Sequence, residues 1–232
     1  MYTPFRNRSE QTASRRRTLA LGAVSGAAAA GFGVLASAAA RRDTAQTDEP
    51  VRKQAAAPAQ HPARRAAEAI APLGKWWAYL PAVLAACIYV LGAPRGRKRR
   101  ARSGRRAGAG AMLLAGITAA ALGPVFDRWL PQPPAPPGHK SRRKPVFPSG
   151  HTFGPIAVSL TTAYVLSREG LARPEIAAPV ALMVPVVTAS GKLLGQKHWA
   201  SDVLGGYLGG TAVAAAWLRA YEAVRGSKKM HG

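Results

Sequence analysis

Six stretches of the chain carry no charged side chain: 18–40, 76–92, 107–126, 152–167, 176–191 and 203–218. Each predicts a helix. The first and third reach the about 20 residues that a membrane-spanning helix needs. The other four are shorter, and on length alone each suits a core helix. Four buried helices in one small soluble core, beside two clear spans, is an odd combination. Their small residues favour a membrane bundle. Gly205, Gly206, Gly209 and Gly210 put small residues on one side of the last helix, the pattern of close helix packing in lipid. Trp76, Trp77 and Tyr79 open the second stretch as an interfacial aromatic belt does. The expected fold is therefore all-α, an integral membrane bundle of about six transmembrane helices.

Composition narrows this further. Among 232 residues, 48% are apolar and 19% charged, too apolar for a disordered polycation. Strand formers are sparse beside Ala, Gly and Pro. The single cysteine, Cys87, excludes a disulfide scaffold. Mean hydropathy is close to zero only because apolar blocks alternate with basic ones.

Those basic blocks set an orientation. The chain has 33 Lys and Arg against 10 Asp and Glu, a net charge of +23. Eight of the cations fall in 93–106, namely Arg95, Arg97, Lys98, Arg99, Arg100, Arg102, Arg105 and Arg106, with no acid among them. The positive-inside rule makes that loop cytoplasmic. Arg15–Arg17 before the first stretch, and Arg219, Arg225, Lys228 and Lys229 after the last, agree with it. Six spans with both ends inside leave 41–75, 127–151 and 192–202 facing outward. The first stretch also reads as an export signal, with Ser14-Arg15-Arg16-Arg17-Thr18-Leu19 before it and Ala36-Ser37-Ala38 as a cleavage-like site. Its uncharged run is long for a signal, so a retained span is expected. Nucleic-acid binding is not expected, because no recognition helix or aromatic-rich motif accompanies the basic run. Contact with anionic lipid headgroups is the simpler use of that charge. The Ala- and Pro-rich 41–75 reads as a mobile or partly amphipathic linker.

Two of the outward connections carry candidate chemistry. One ends Lys144-Pro145-Val146-Phe147-Pro148-Ser149-Gly150-His151, and the other runs from Lys192 through His198 to Asp202. Ser149 and Gly150 sit at a predicted helix start, where backbone N–H groups and the helix dipole favour an anion. Lys144 and Lys192 supply positive charge for phosphate oxygens. Asp202, four residues after His198, can fix the imidazole tautomer and leave the other nitrogen free to attack. His151 is a second histidine on the same face, suited to protonating a leaving oxygen. The set suits metal-free phosphoryl transfer, since the lysines would repel a cation. Plainer roles exist for each residue: a turn and N-cap at 148–150, a helix cap at Asp202, an interfacial histidine beside Trp199. The spacing and the shared face point to a site.

These motifs resemble the type 2 phosphatidic acid phosphatase (PAP2) superfamily, whose signatures are Lys-x6-Arg-Pro, Pro-Ser-Gly-His and Ser-Arg-x5-His-x3-Asp. The second stands intact at Pro148-Ser149-Gly150-His151, and the third is matched by Lys192-x5-His198-x3-Asp202 with Gly191-Lys192 in place of Ser-Arg. The likeness covers about 107–218. It implies His198 as nucleophile through a phosphohistidine, Asp202 as its orienter and His151 as general acid. It also implies Ser149, Gly150 and Lys192 as phosphate-binding residues, with no cofactor and no metal. The first motif is absent as written. Lys140, Arg142, Arg143 and Lys144 are its nearest substitute, with Lys144-Pro145 for Arg-Pro and Arg128 for the motif's lysine.

The expected protein is a multi-pass plasma-membrane phosphatase with its site outside the cytoplasm. It would act on a lipid phosphomonoester or diphosphate of the phosphatidate, phosphatidylglycerophosphate or polyprenyl phosphate type. The expected layout is a basic cytoplasmic 1–17, a first span 18–40, the linker 41–75, a phosphatase domain 76–220 and a basic tail 221–232. The rival expectation, motivated by the altered first and third motifs, is a lipid-phosphate-binding scaffold on the same fold. The related vanadate-dependent haloperoxidases share the motifs but are soluble and larger.

Overall fold

All six uncharged stretches are helical in the structure, a computed structural model that describes residues 4–93, 99–139, 141 and 144–227, with 4–11 and 99–102 as backbone alone. The helices are α1 (Pro4–Ala40), α2 (Ala45–Ala55), α3 (Pro62–Ile70), α4 (Trp76–Gly92), α5 (Arg99–Trp129), α6 (Gly150–Arg168), α7 (Pro174–Leu194) and α8 (Ala200–Ser227), with a 3-10 turn at Ala71–Gly74 between α3 and α4. No strand occurs among the described residues.

Helices α6 and α8 form the centre. α1, α5 and α6 pack on α8, while α4, α5 and α7 pack on α6. The glycines of α8 explain why these two approach so closely. A Cβ at Gly206 would lie 2.8 Å from Thr152 Cβ and 2.9 Å from the Ser149 carbonyl oxygen. One at Gly210 would lie 2.5 Å from the Phe153 carbonyl oxygen. Real side chains do not fit there, so backbone meets backbone. The Ser149 N–H accordingly donates to the Asp202 carbonyl at 2.9 Å. α1 lies along α8, and its Phe32 ring packs 5.2 Å from Phe126 and 5.6 Å from Phe147.

Among the described residues three helices are long and apolar enough to cross a membrane: Thr12–Ala40, Ser103–Trp129 and Pro174–Leu194. A fourth candidate is the pair Pro62–Gly74 and Trp76–Gly92, bent by 65°. α6 and α8 fall outside that measure for a physical reason. They are the interior helices, and their buried faces carry Thr152, Thr161, Ser201, Asp202 and Glu222 instead of lipid-facing apolar residues. The chain is a multi-pass membrane protein with an all-α bundle.

The two ends of the bundle differ. At one end Glu222 of α8 is fully buried and accepts from Arg168 at 2.6 Å and from the Tyr164 hydroxyl at 3.0 Å. Glu169 pairs there with Arg225 and Tyr221. The start of α5 joins this end, and Arg105 donates to the Ala93 carbonyl at 2.6 Å. Arg95, Arg97, Lys98, Lys228 and Lys229 lie outside the described residues, as do the side chains of Arg99, Arg100 and Arg102.

The 41–75 segment, expected to be a mobile or partly amphipathic linker, is helical over most of its length. It folds as α2, α3 and the 3-10 turn, a strap across the ends of α7 and α8. Asp48 caps α8, accepting from the Ser201 N–H at 2.9 Å and its hydroxyl at 2.8 Å. Arg52 donates to Gln196 Oε1 at 2.6 Å, and the Ala57 N–H donates to the Leu194 carbonyl at 3.1 Å. Gly191 leaves room for Ala67, since a Cβ there would lie 2.8 Å from the Ala67 methyl. Few apolar side chains hold this strap, which is why its composition suggests disorder; the polar contacts of Asp48, Arg52 and Ala57 hold it instead.

The close α6–α8 contact has a direct test. Gly210→Ala forces a methyl against the Phe153 carbonyl and is expected to cost about 1–3 kcal/mol, read as a lower melting temperature in detergent. Gly150→Ala meets nothing within 4 Å and is expected to melt like the parent. Equal melting of both variants would mean that the two backbones are not in contact.

Candidate active site

Both histidine motifs sit at helix starts, and the α6–α8 contact brings those starts together. Ser149 is the N-cap of α6. α7 ends in a Schellman-type turn: the Gln196 N–H donates to the Leu193 carbonyl at 2.9 Å and the Lys197 N–H to the Lys192 carbonyl at 2.8 Å. Gln196 takes the left-handed conformation that this turn requires, with φ 52°. The chain thereby reverses over Lys197 and His198 before α8 begins. Asp202, in the first turn of α8, reaches back to accept from the Trp199 N–H at 2.8 Å, half of a capping box. The same oxygen lies 3.2 Å from His198 Nδ1. With Nδ1–H donating to it, Nε2 keeps its lone pair. The Trp199 indole N–H donates to the Pro134 carbonyl at 2.8 Å and ties the loop to the segment after α5.

A cavity of about 230 Å³ opens at this end of the bundle, opposite to the Arg168 and Arg225 clusters. Glu68, Ala71, Pro72, Lys75, His151, Gly191, Lys192 and Lys197 line it. His151 stands in the first turn of α6, ahead of the uncharged 152–167. Its carbonyl accepts from the Thr188 hydroxyl of α7 at 2.7 Å. Gly74 of the strap packs on its other side, where a Cβ would lie 3.1 Å from His151 Cα. Burial, then the charges of Lys192, His198, Lys75 and Lys197, push the His151 imidazole down to about 3. Burial raises the Asp202 carboxyl, against the opposing pull of its His198 hydrogen bond.

The sequence-predicted residues divide clearly. His151 and Lys192 share the cavity. Gly150 borders open space, with nothing within 4 Å of a Cβ placed there. His198 does not line the cavity; its side chain is 12% exposed beside Asp202, near enough to act electrostatically on His151. Ser149 is fully buried, and its hydroxyl has no partner among the described residues. The free Asp202 oxygen, Oδ1, is likewise buried without a partner among them.

Lys144 and Arg128 are exposed and do not line the cavity. Gln132 explains the first: its Oε1 accepts from the Val146 and Phe147 N–H groups at 3.0 Å. Those two side chains are thereby held inward, with Lys144 outside. Helix geometry explains the second. Phe126 packs inward on Phe32 and Phe153, and two residues on, roughly 200° round the helix, Arg128 lies over the exposed Trp129. Lys140, Arg142 and Arg143 lie outside the described residues.

Sequence reasoning missed Lys75, Lys197 and Glu68 as part of this cavity. A signal existed for the lysines: Lys75 directly precedes the interfacial Trp76-Trp77 pair, and Lys197 directly precedes His198. Glu68 had none, because its place depends on the strap. Among the described residues no group of three or more His, Cys, Asp or Glu side chains is gathered to hold a metal.

The PAP2 superfamily model matches residues 107–225. The chain belongs to the PAP2 superfamily. The match contains His151, Lys192, Lys197, His198 and Asp202, while Glu68 and Lys75 lie before it. The PAP2 chain is similar in fold to a transmembrane PAP2-type phosphatidylglycerolphosphate phosphatase from Bacillus subtilis, with a TM-score of 0.68 and 23% identity over 84% of this chain and 94% of that one. No curated protein matches the sequence. A second, apolar cavity of about 490 Å³ lies between α4, α6 and α7, the three helices whose ends border the histidine cavity.

The charge around His151 makes a testable prediction. Burial and neighbouring ammonium groups both disfavour imidazolium, so the ring stays neutral down to about pH 4 in ligand-free protein. Orthovanadate in the cavity reverses the sign of the local field and raises its proton affinity. Nitrogen-15 NMR of labelled histidine reads both states; a ring that charges near pH 6.5 without ligand would contradict the burial.

Proposed function

We propose that this PAP2 protein hydrolyses the phosphate ester or diphosphate of a membrane lipid through a phosphohistidine on His198. The observation that carries the reading is the lysine-lined cavity of His151 beside the His198–Asp202 pair. His198 Nε2 attacks phosphorus and the bond to the lipid oxygen breaks. His151 gives its proton to that oxygen. Water, deprotonated by His151, then attacks phosphorus, breaks the P–N bond and releases phosphate. The incoming phosphate's negative charge offsets the lysines and restores the proton affinity that His151 lacks in the empty cavity. Asp202 orients His198, and the open space before Gly150 lets a phosphate oxygen approach the α6 N-terminus.

The location of the cavity, opposite the basic end, supports a site on the extracytoplasmic face of the plasma membrane under the positive-inside rule. On that reading 1–17 and 221–232 are cytoplasmic, and the strap completes the 76–220 phosphatase domain. The apolar cavity between α4, α6 and α7 suits an acyl or prenyl tail. Phosphatidate, phosphatidylglycerophosphate and polyprenyl phosphates are the substrate types to screen. The Bacillus subtilis neighbour's substrate makes phosphatidylglycerophosphate the first of them. Lys192 in place of arginine, which loses the bidentate grip, favours a second reading: a lipid-phosphate-binding scaffold.

Phosphate release from such lipids in mixed micelles decides between them. The phosphatase reading expects turnover that His151→Ala lowers about 10²–10⁴-fold and that His198→Ala reduces to background. Folded parent protein that binds these lipids and releases no phosphate would establish the scaffold.

A further inference from the structure

We infer that Lys75 and Lys197 are phosphate-binding residues, completing with Lys192 a cradle of three ammonium groups for a phosphate dianion. This rests on the proposed reading of the cavity and extends it to residues outside the motifs.

The three lysines come from separate elements: Lys75 from the turn before α4, Lys192 from the end of α7 and Lys197 from the turn after it. Backbone geometry places each of them. The Lys75 N–H donates to the Pro72 carbonyl at 3.0 Å, and the Lys75 carbonyl accepts from Ala78 and Tyr79 at the start of α4. Gly74 lies against His151, so its neighbour Lys75 is carried to the acid. Lys197 is set by the Schellman-type turn through its N–H bond to the Lys192 carbonyl.

Their charge is not balanced. Among the described residues Glu68 is the one acid lining the cavity, and it accepts from Lys197 at 2.9 Å while Arg64 also reaches it at 3.3 Å. Lys75 and Lys192 form no ion pair with an acid among the described residues. The lining thus carries a net of two positive charges, which a phosphomonoester dianion matches. Like charges in a half-enclosed space repel, and the cluster gains stability when an anion enters. The cavity volume of about 230 Å³ is below that of pockets that enclose whole small molecules and suits a headgroup phosphate or free phosphate. Lys197 would exchange Glu68 for a phosphate oxygen. Arg128 and Lys144 stand outside this cavity, so Lys75 and Lys197 fill the basic complement that Lys192 alone lacks.

The test compares Lys75→Gln, Lys197→Gln and the double variant with Lys75→Arg, Lys197→Arg and the exposed control Lys53→Gln, all in full-length protein. Phosphorus-31 NMR titration reads binding of inorganic phosphate, and micelle kinetics read KM and kcat for lipid phosphate. The double variant is expected to weaken phosphate binding and raise KM at least tenfold with a smaller change in kcat. The arginine variants should retain most of the affinity, Lys53→Gln should change nothing, and melting temperatures should not fall. Phosphate affinity within twofold of the parent in the folded double variant would overturn the inference. If the parent releases no phosphate from any lipid, the phosphatase reading fails, yet the titration still decides this inference. A parent that binds no inorganic phosphate would overturn this inference, while the phosphatase reading is decided by turnover alone.

Discussion

The site depends on a missing side chain. Where α8 passes the start of α6, Gly206 and Gly210 leave no atoms between the two backbones, and the Ser149 N–H reaches the Asp202 carbonyl. Any Cβ there would push the helix starts apart. His151 is anchored to α6 and the His198–Asp202 pair to α8, so the distance between the two imidazoles is set by helix packing. Loops then need only aim the side chains, and the capping bonds of Trp199, Asp202 and Asp48 do that.

Charge is sorted along the same axis. At one end cations are paired with buried acids, as Arg168 is with Glu222 and Arg225 with Glu169. At the other, the lysines around His151 outnumber their one carboxylate. A buried pair at the first end holds the bundle, with its charges largely satisfied. A cluster with more cations than acids at the second end is costly unless an anion arrives. That asymmetry distinguishes the end that carries the proposed site from the structural one more clearly than the identity of either histidine does.

Much of this was legible from residue order. Uncharged runs marked all six long helices, with 76–92 matching α4 end to end. The spacing of His198 and Asp202 gave their hydrogen bond, because residues four apart meet across a helix start. The strap was not legible. Its Ala and Pro content signals little core, and its position is fixed by partners remote in sequence, such as Asp48 with Ser201 and Arg52 with Gln196. Lys144 and Arg128 were chosen for sequence proximity to a motif. Side-chain direction along a helix and a stitched loop sends both away from the cavity.

The central claim is that phosphorus passes through His198. Its most direct measurement is a quench of the turning-over protein in alkali, where phosphohistidine survives, with peptide mapping of label from phosphorus-32 lipid phosphate. Label on the peptide at His198, lost in His198→Ala, is the predicted result. Sustained phosphate release with no label at His198, or with label at another residue, would contradict it.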